Sequence, residues 1–242
     1  MGSISEGQIV TQKEGIESLL SRESSSLTSS FFDLKKSLEN QIHRSADSKP
    51  TDFRVWVASP SSLEALILFI FILERLEAKK SSIDLKFLVT APQRRGLSEL
   101  AKGVFRESDL SFFSEDHRTR YFRELKISKH KDSKWFRFER VAELYLAELD
   151  LSQHPYPFLK HFDVIYISRC PKNSSPQAIQ KFCQSMVDVL QPDALLVTGA
   201  KEFEINESHR LKKESRYCFT RKSEKLDIAP GQSLWSDIIT SS

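Results

Sequence analysis

"FRVWVASPSSLEALILF", residues 53–69, carries three structural instructions in a row. Residues 53–58 alternate β-branched, aromatic and small side chains, which suits a buried strand. Ser59-Pro60-Ser61-Ser62 makes a sharp bend. Ser61, followed three residues later by Glu64, forms a capping box that satisfies the open N–H groups of a helix start. The helix predicted from there to Ala78 is apolar nearly all round until Glu74, as a helix packed against a sheet must be. In open α/β proteins a bend of this kind lies at the carboxyl edge of the sheet, where ligands bind, and glycines usually line it. Here serines do.

Outward from this unit, strand and helix patterns alternate. The sequence predicts strands at 83–90 ("IDLKFLVT"), 133–141 ("SKWFRFERV"), 162–168 ("FDVIYIS") and 194–199 ("ALLVTG"), and a late edge strand at 216–221 ("RYCFTR"). Helices are expected around Leu97–Gly103 and from Pro176 to near Leu190. The alternation predicts an α/β fold with a mostly parallel, doubly wound sheet. Residues 1–50 differ: they read as a helical segment with a Ser-rich break and a polar linker (43–52), leaving 51–242 as the α/β domain. No internal repeat is visible.

Composition narrows the function classes. With 39% hydrophobic and 29% charged residues, the chain reads as a globular protein, and its formal net charge of +3 without long like-charge runs argues against nucleic acid as a partner. Cys170, Cys183 and Cys218 show no paired spacing, which predicts neither a disulfide framework nor a zinc site and favours a reducing cytoplasm. The longest apolar run, Ala65 to Leu73, falls far short of the ~20 residues of a membrane span, and "MGSISEGQ" has neither a signal-peptide core nor a myristoylation pattern. Gly is scarce at 7 residues, against an ordinary share of about 7%.

The order of several strings resembles the chemotaxis-receptor methyltransferase (CheR-type) family, enzymes that use S-adenosylmethionine (SAM) to methylate receptor glutamates. "SSFFD" (29–33), "FRVWVASPSSLEA" (53–65), "FLVTAPQ" (87–93), "LAKGVF" (100–105), "WFRFERVAEL" (135–144), "FDVIYISRCPKNSSP" (162–176) and "LQPDALLVTGAKE" (190–202) carry the resemblance. It implies a Rossmann-like SAM-methyltransferase sheet over most of the chain. It also implies where ligand-facing residues belong. The family's loop glycines fall on Ser59 and Leu63, and its Glu pair on Glu64 and Ala65. The ribose-binding acid at the end of the second strand falls on Ala91, after a retained Thr90. The family's His-Asn falls on Val141-Ala142 and its Arg-Asn on Ser168-Arg169, or on Arg169-Cys170 with a one-residue shift. A Gly-Gly falls on Asp193-Ala194, while Gly199 and Glu202 are kept.

Framework positions are retained and ligand-facing ones are replaced. The expectation is a degraded SAM site, with no cofactor in the leading reading and SAM if the enzymatic alternative holds. Losing a charged hydrogen bond to the ribose costs about 1.5–3 kcal/mol. The cleft-lining positions expected are Ser59, Ser61, Ser62, Glu64, Thr90, Ala91, Ser168 and Arg169, with no catalytic or metal-ligating residue. Glu64 reads either as the capping acid or as a holder of a ligand's amino group, and Arg169 and Lys201 either as anion-binding or as solvated loop charges. Ser59, Ser61 and Ser62 read as N-cap residues as readily as ligand donors. His117, His130, His154 and His161 read as surface residues, Cys170 as a small buried one, and the basic, aromatic-interleaved stretch 117–140 as a solvated hairpin. The partners expected are a protein and, alternatively, a small anionic ligand. The functional expectation is a non-catalytic binding module in signalling, the alternatives being a divergent methyltransferase acting on a protein carboxylate and a binder of another nucleotide.

Overall fold

A computed structural model describes residues 35–44, 52–79, 83–126, 134–159, 161–169, 175–198, 210–215 and 217–222. Helix α1 (35–44) precedes β1 (Asp52–Ala58), α2 (Ser62–Ala78) and β2 (Asp84–Ala91). A 3-10 turn leads into the short α3 (Ser98–Lys102), which Gly103 ends in the left-handed conformation at φ 60°. Then come β3 (Val104–Arg106), α4 (Glu115–Tyr121), β4 (Phe122–Leu125), β5 (Trp135–Phe138) and β6 (Leu144–Glu148). The chain continues through β7 (Phe162–Ile167), α5 (Pro176–Asp188), β8 (Leu190–Thr198), β9 (Leu211–Lys213) and β10 (Cys218–Arg221).

Seven strands form one sheet in the order β6-β2-β1-β7-β8-β10-β9. The pairs from β6 to β8 are all parallel, and β10 runs antiparallel to both its neighbours. Both faces are covered, so each central strand is apolar on both sides. Val55, Val57, Phe87 and Val164 face the α2 core, while Trp56, Ile165 and Ile167 face the α5 side with Phe182 and Met186. The predicted doubly wound α/β sheet is what the chain forms.

The all-round apolarity of α2 has a direct cause: it is covered twice. Its inner face lies on the sheet. Its outer face meets Leu38 and Ile42 of α1 and a second, three-stranded antiparallel sheet in the order β3-β5-β4. Phe69 touches Phe87 of the large sheet and Phe138 of the small one, edge-to-face in both cases.

Two strand assignments need correction. Residues 133–141 were expected as a strand of the main sheet, but β5 is the centre of the small sheet, and the place beside β2 belongs to β6. The Phe136/Phe138 alternation suits either sheet, while "LYLAE" of β6, at the edge of the sheet and exposed along much of its length, mixes apolar and polar residues and stands out less. The strand around 218–221 is interior rather than edge, since β9, too short and too charged to stand out, covers it. Leu63, where the resemblance places a loop glycine, sits in the first turn of α2, packed against the core.

Candidate functional site

The strand order reverses between β1 and β7, and the carboxyl edge at that switch point is where open α/β sheets bind ligands. A cavity of ≈ 510 Å3 lies there. Its walls come from the segments just beyond four parallel strands: Ser59 and Pro60 after β1, Ala91 and Pro92 at the end of β2, Asp150 and Leu151 after β6, and Arg169 after β7, with Arg95 and Gly96 from the 3-10 turn. Of the positions expected from sequence, the fold brings Ser59, Ala91 and Arg169 together here.

Four of the other five are used inside the protein. Ser61 and Glu64 form the complete capping box, with Ser61 N–H donating to Glu64 Oε2 at 2.6 Å and Glu64 N–H to Ser61 Oγ at 3.2 Å. Glu64 does more than cap. Buried Ser168 donates its hydroxyl at 2.9 Å to either carboxylate oxygen, and Tyr166 OH donates to Oε1 at 3.4 Å. Glu64 thus ties the start of α2 to the end of β7. Burial, and then the Glu64 charge, push the Tyr166 phenol far above its ordinary pKa, so it stays a donor. Buried Thr90 accepts from Trp56 Nε1–H at 2.8 Å. Ser62 begins α2 and does not line the cavity.

The bend itself retains a glycine's geometry without a glycine. Ser59 has φ 53° and donates its N–H to Thr90 O at 2.8 Å, and Asp193 has φ 59°. These are the described non-glycine residues in the left-handed region, and both fall where the resemblance places a glycine. The backbone path survives at a conformational cost that glycine would avoid.

Sequence reasoning missed Asp150 and Arg95. Ser152 donates both its N–H and its hydroxyl to Asp150 Oδ1, at 2.9 and 2.8 Å, while Oδ2 receives only a long 3.5 Å bond from Gln153. Those Ser152 bonds hold the carboxyl below its usual pKa, so it is an ionised acceptor. The signal present in the sequence was the D-x-S spacing of an Asx turn just past a strand. Arg95 also lines an adjoining groove of ≈ 750 Å3 with Arg94, Lys102 and Glu148. Among the described residues, no ion pair or side-chain hydrogen bond holds Arg94, Arg95, Lys102 or Arg169.

His117 is no surface residue. It is half-buried between Ser114 Oγ (2.5 Å) and Glu74 Oε2 (3.3 Å), and Tyr121 OH also donates to Glu74. His154 packs edge-on to Tyr156, and burial, reinforced by Lys181, lowers its pKa. His161 is exposed as expected. The stretch 117–140 is partly helix, and the rest includes the β4–β5 pair. Residues 29–33, His130, Cys170, Gly199, Lys201 and Glu202 lie outside the described residues. No cluster of metal-binding side chains occurs among the described residues, and no helix there is long and apolar enough to cross a membrane.

A mostly parallel, doubly wound sheet with one reversed strand and a cleft at its switch point defines the Rossmann-like methyltransferase class of fold. The family described as CheR methyltransferase, SAM binding domain, matches residues 26–218, and the chain belongs to that family. Solved structures it is similar to include the N-methyltransferase NodS from Bradyrhizobium japonicum WM9, at 12% identity, covering 76% of this chain and 94% of NodS with a TM-score of 0.35. The plantazolicin methyltransferase BpumL in complex with SAH is 11% identical, over 77% of this chain and 52% of BpumL, with a TM-score of 0.34. SAM-bound CalS10, an amino pentose methyltransferase from Micromonospora echinaspora, is 12% identical over 82% and 58%, with a TM-score of 0.30. No curated protein matches the chain.

Proposed function

We propose that this chain keeps the methyltransferase fold without methyl transfer and works as a binding module in signalling, taking a small anionic ligand in its cleft or a protein partner. The observation that carries this reading is the charge of the cleft wall. Arg95 and Arg169 stand there unpaired, and the end of β2 contributes Ala91, only 5% exposed, in place of a carboxylate. SAM carries a net positive charge, so two free arginines disfavour it, and Ala91 offers nothing to its ribose hydroxyls. Glu64 is already engaged by Ser61, Ser168 and Tyr166. The residues present therefore do not fit SAM in the pose the family implies.

Calorimetry and thermal shift with SAM and its demethylated product test the reading. The expected result is no saturable binding at millimolar SAM and no label transfer from methyl-labelled SAM to protein carboxylates. Saturable binding at micromolar SAM overturns it. One observation favours a second reading, a divergent SAM-dependent methyltransferase: Asp150 places an ionised carboxylate in the same cavity. Under that reading Asp150→Asn abolishes SAM binding without lowering stability.

A further inference from the structure

We infer that the cleft takes a nucleoside di- or triphosphate, with its nucleoside in the cavity beside Asp150 and its phosphates on Arg169, Arg95 and the adjoining Arg94–Lys102 groove. The inference deepens the preceding reading and rests on it.

The first support is the contrast in how arginines are used. Arg54, Arg75, Arg118, Arg120, Arg123, Arg140 and Arg210 each meet a carboxylate. Arg106 lies over Trp135. Exposed Arg44 and Arg137 stand singly, but at the cleft Arg94, Arg95 and Arg169 gather with Lys102 around one cavity and its neighbour, none of them held in an ion pair among the described residues. Across the two linings four basic side chains face only Glu148 and Asp150. Such an excess attracts an anion of more than one charge, and guanidinium forks match phosphate oxygens two at a time.

The second support is the division of the lining. Pro60, Ala91, Pro92 and Leu151 form an apolar wall, which phosphate alone does not use but a flat base and sugar do. A volume of ≈ 510 Å3 falls within the range of small-molecule sites, about 300–1,000 Å3. Asp150 Oδ2, nearly free of internal donors, accepts from a ribose hydroxyl or an amino group of the base.

The third support is what is closed off. The capping box takes the N–H groups of Ser61 and Glu64 at the start of α2, which leaves this helix terminus fewer free donors for a phosphate. Among the side chains lining the cavity, Arg95 and Arg169 are the cationic donors, beside neutral Ser59 and Gln93. Arg95 is the hinge of the design, since it alone lines both the cavity and the longer cationic groove.

The test is calorimetry on the full chain with ADP, ATP and GTP, with adenosine, inorganic pyrophosphate and SAM run beside them. Expected is saturable binding of at least one nucleotide at micromolar concentration, weaker by about tenfold or more in Arg169→Ala and in Arg95→Ala, with melting temperatures unchanged. Lys102→Ala is expected to weaken ATP more than ADP. Pyrophosphate binding as tightly as the nucleotides overturns the inference, because charge alone would then account for it. So does unchanged affinity in Arg169→Ala, or no nucleotide binding at millimolar concentration. If SAM instead binds at micromolar concentration, the preceding reading falls too; if nucleotides and SAM both fail, only this inference falls.

Discussion

Two arginine-rich regions of this protein use the same side chain in opposite ways. Against α2, Arg120 reaches Glu77 at 2.5 Å and Arg140 reaches Glu77 at 3.0 Å and Glu143 at 2.5 Å, while His117 and Tyr121 close on Glu74. At the carboxyl edge of the sheet, Arg95 and Arg169 face a cavity with no such partners. The first region is a clasp that holds the small sheet and α4 to α2, each charge answered within the chain. The second leaves charge unanswered where the topology makes a cleft. Equal composition therefore carries different meaning, and the meaning is set by what lies opposite.

The comparison can be broken at several points. Phe69→Ala should have the largest effect, about 3–5 kcal/mol of stability lost in denaturant unfolding, because one ring joins both sheets. A loss under about 1 kcal/mol would mean the small sheet is not held through this contact. Glu64→Ala should cost about 2–3 kcal/mol, combining a lost cap with the stranded Ser168 hydroxyl. Were Glu64 a ligand group instead, its removal would leave stability nearly intact.

The clasp should also show in the pH profile. Burial works to raise the Glu74 pKa, but the hydrogen bond and charge of His117, helped by Tyr121 and Arg120, win and hold it below the ordinary value of 4.5. A depressed folded pKa gives stability that is present above the unfolded value and lost as pH falls through it toward the folded one. Glu74→Gln should therefore flatten the stability curve below about pH 4.5. An unchanged acid slope would refute the clasp.

At the cleft the effects are smaller and differ in sign. Ser59→Gly should raise stability by about 0.5–1 kcal/mol, since glycine relieves the left-handed backbone and returns only part of that in chain entropy. A loss would show that the serine side chain is needed there. Arg169→Ala should change stability by less than about 0.5 kcal/mol, as befits a side chain with no internal partner. A marked drop would place it in the clasp's category.

Much of the fold was legible because its signals are local. Pro176 at the first turn of α5, Gly103 closing α3 and the Ser61–Glu64 box are read from neighbours in sequence and stand as expected. The small sheet was not legible, because the alternation in β5 does not say which partner strands it meets. The buried role of His117 was hidden for the same reason: its partner Glu74 is 43 positions away. At the site, Ser59, Ala91 and Arg169 line the cavity by their position after strands, which the sequence shows, whereas Asp150 and Arg95 needed the fold to bring their loops beside them.

By itself, then, the sequence determined the strand–bend–helix unit at 53–69, the alternation that makes a parallel sheet, and the family framework. Only the tertiary structure decided how the polar residues of that framework are used. It showed that Glu64 and Ser168 bond to each other, that Thr90 serves Trp56, and that Ser59 keeps a glycine's conformation. The physical reason is distance along the chain. Caps, turns and periodicity are settled within a few residues, but whether a charge or a hydroxyl is satisfied depends on groups that meet only when β1, β2, β6 and β7 stand side by side.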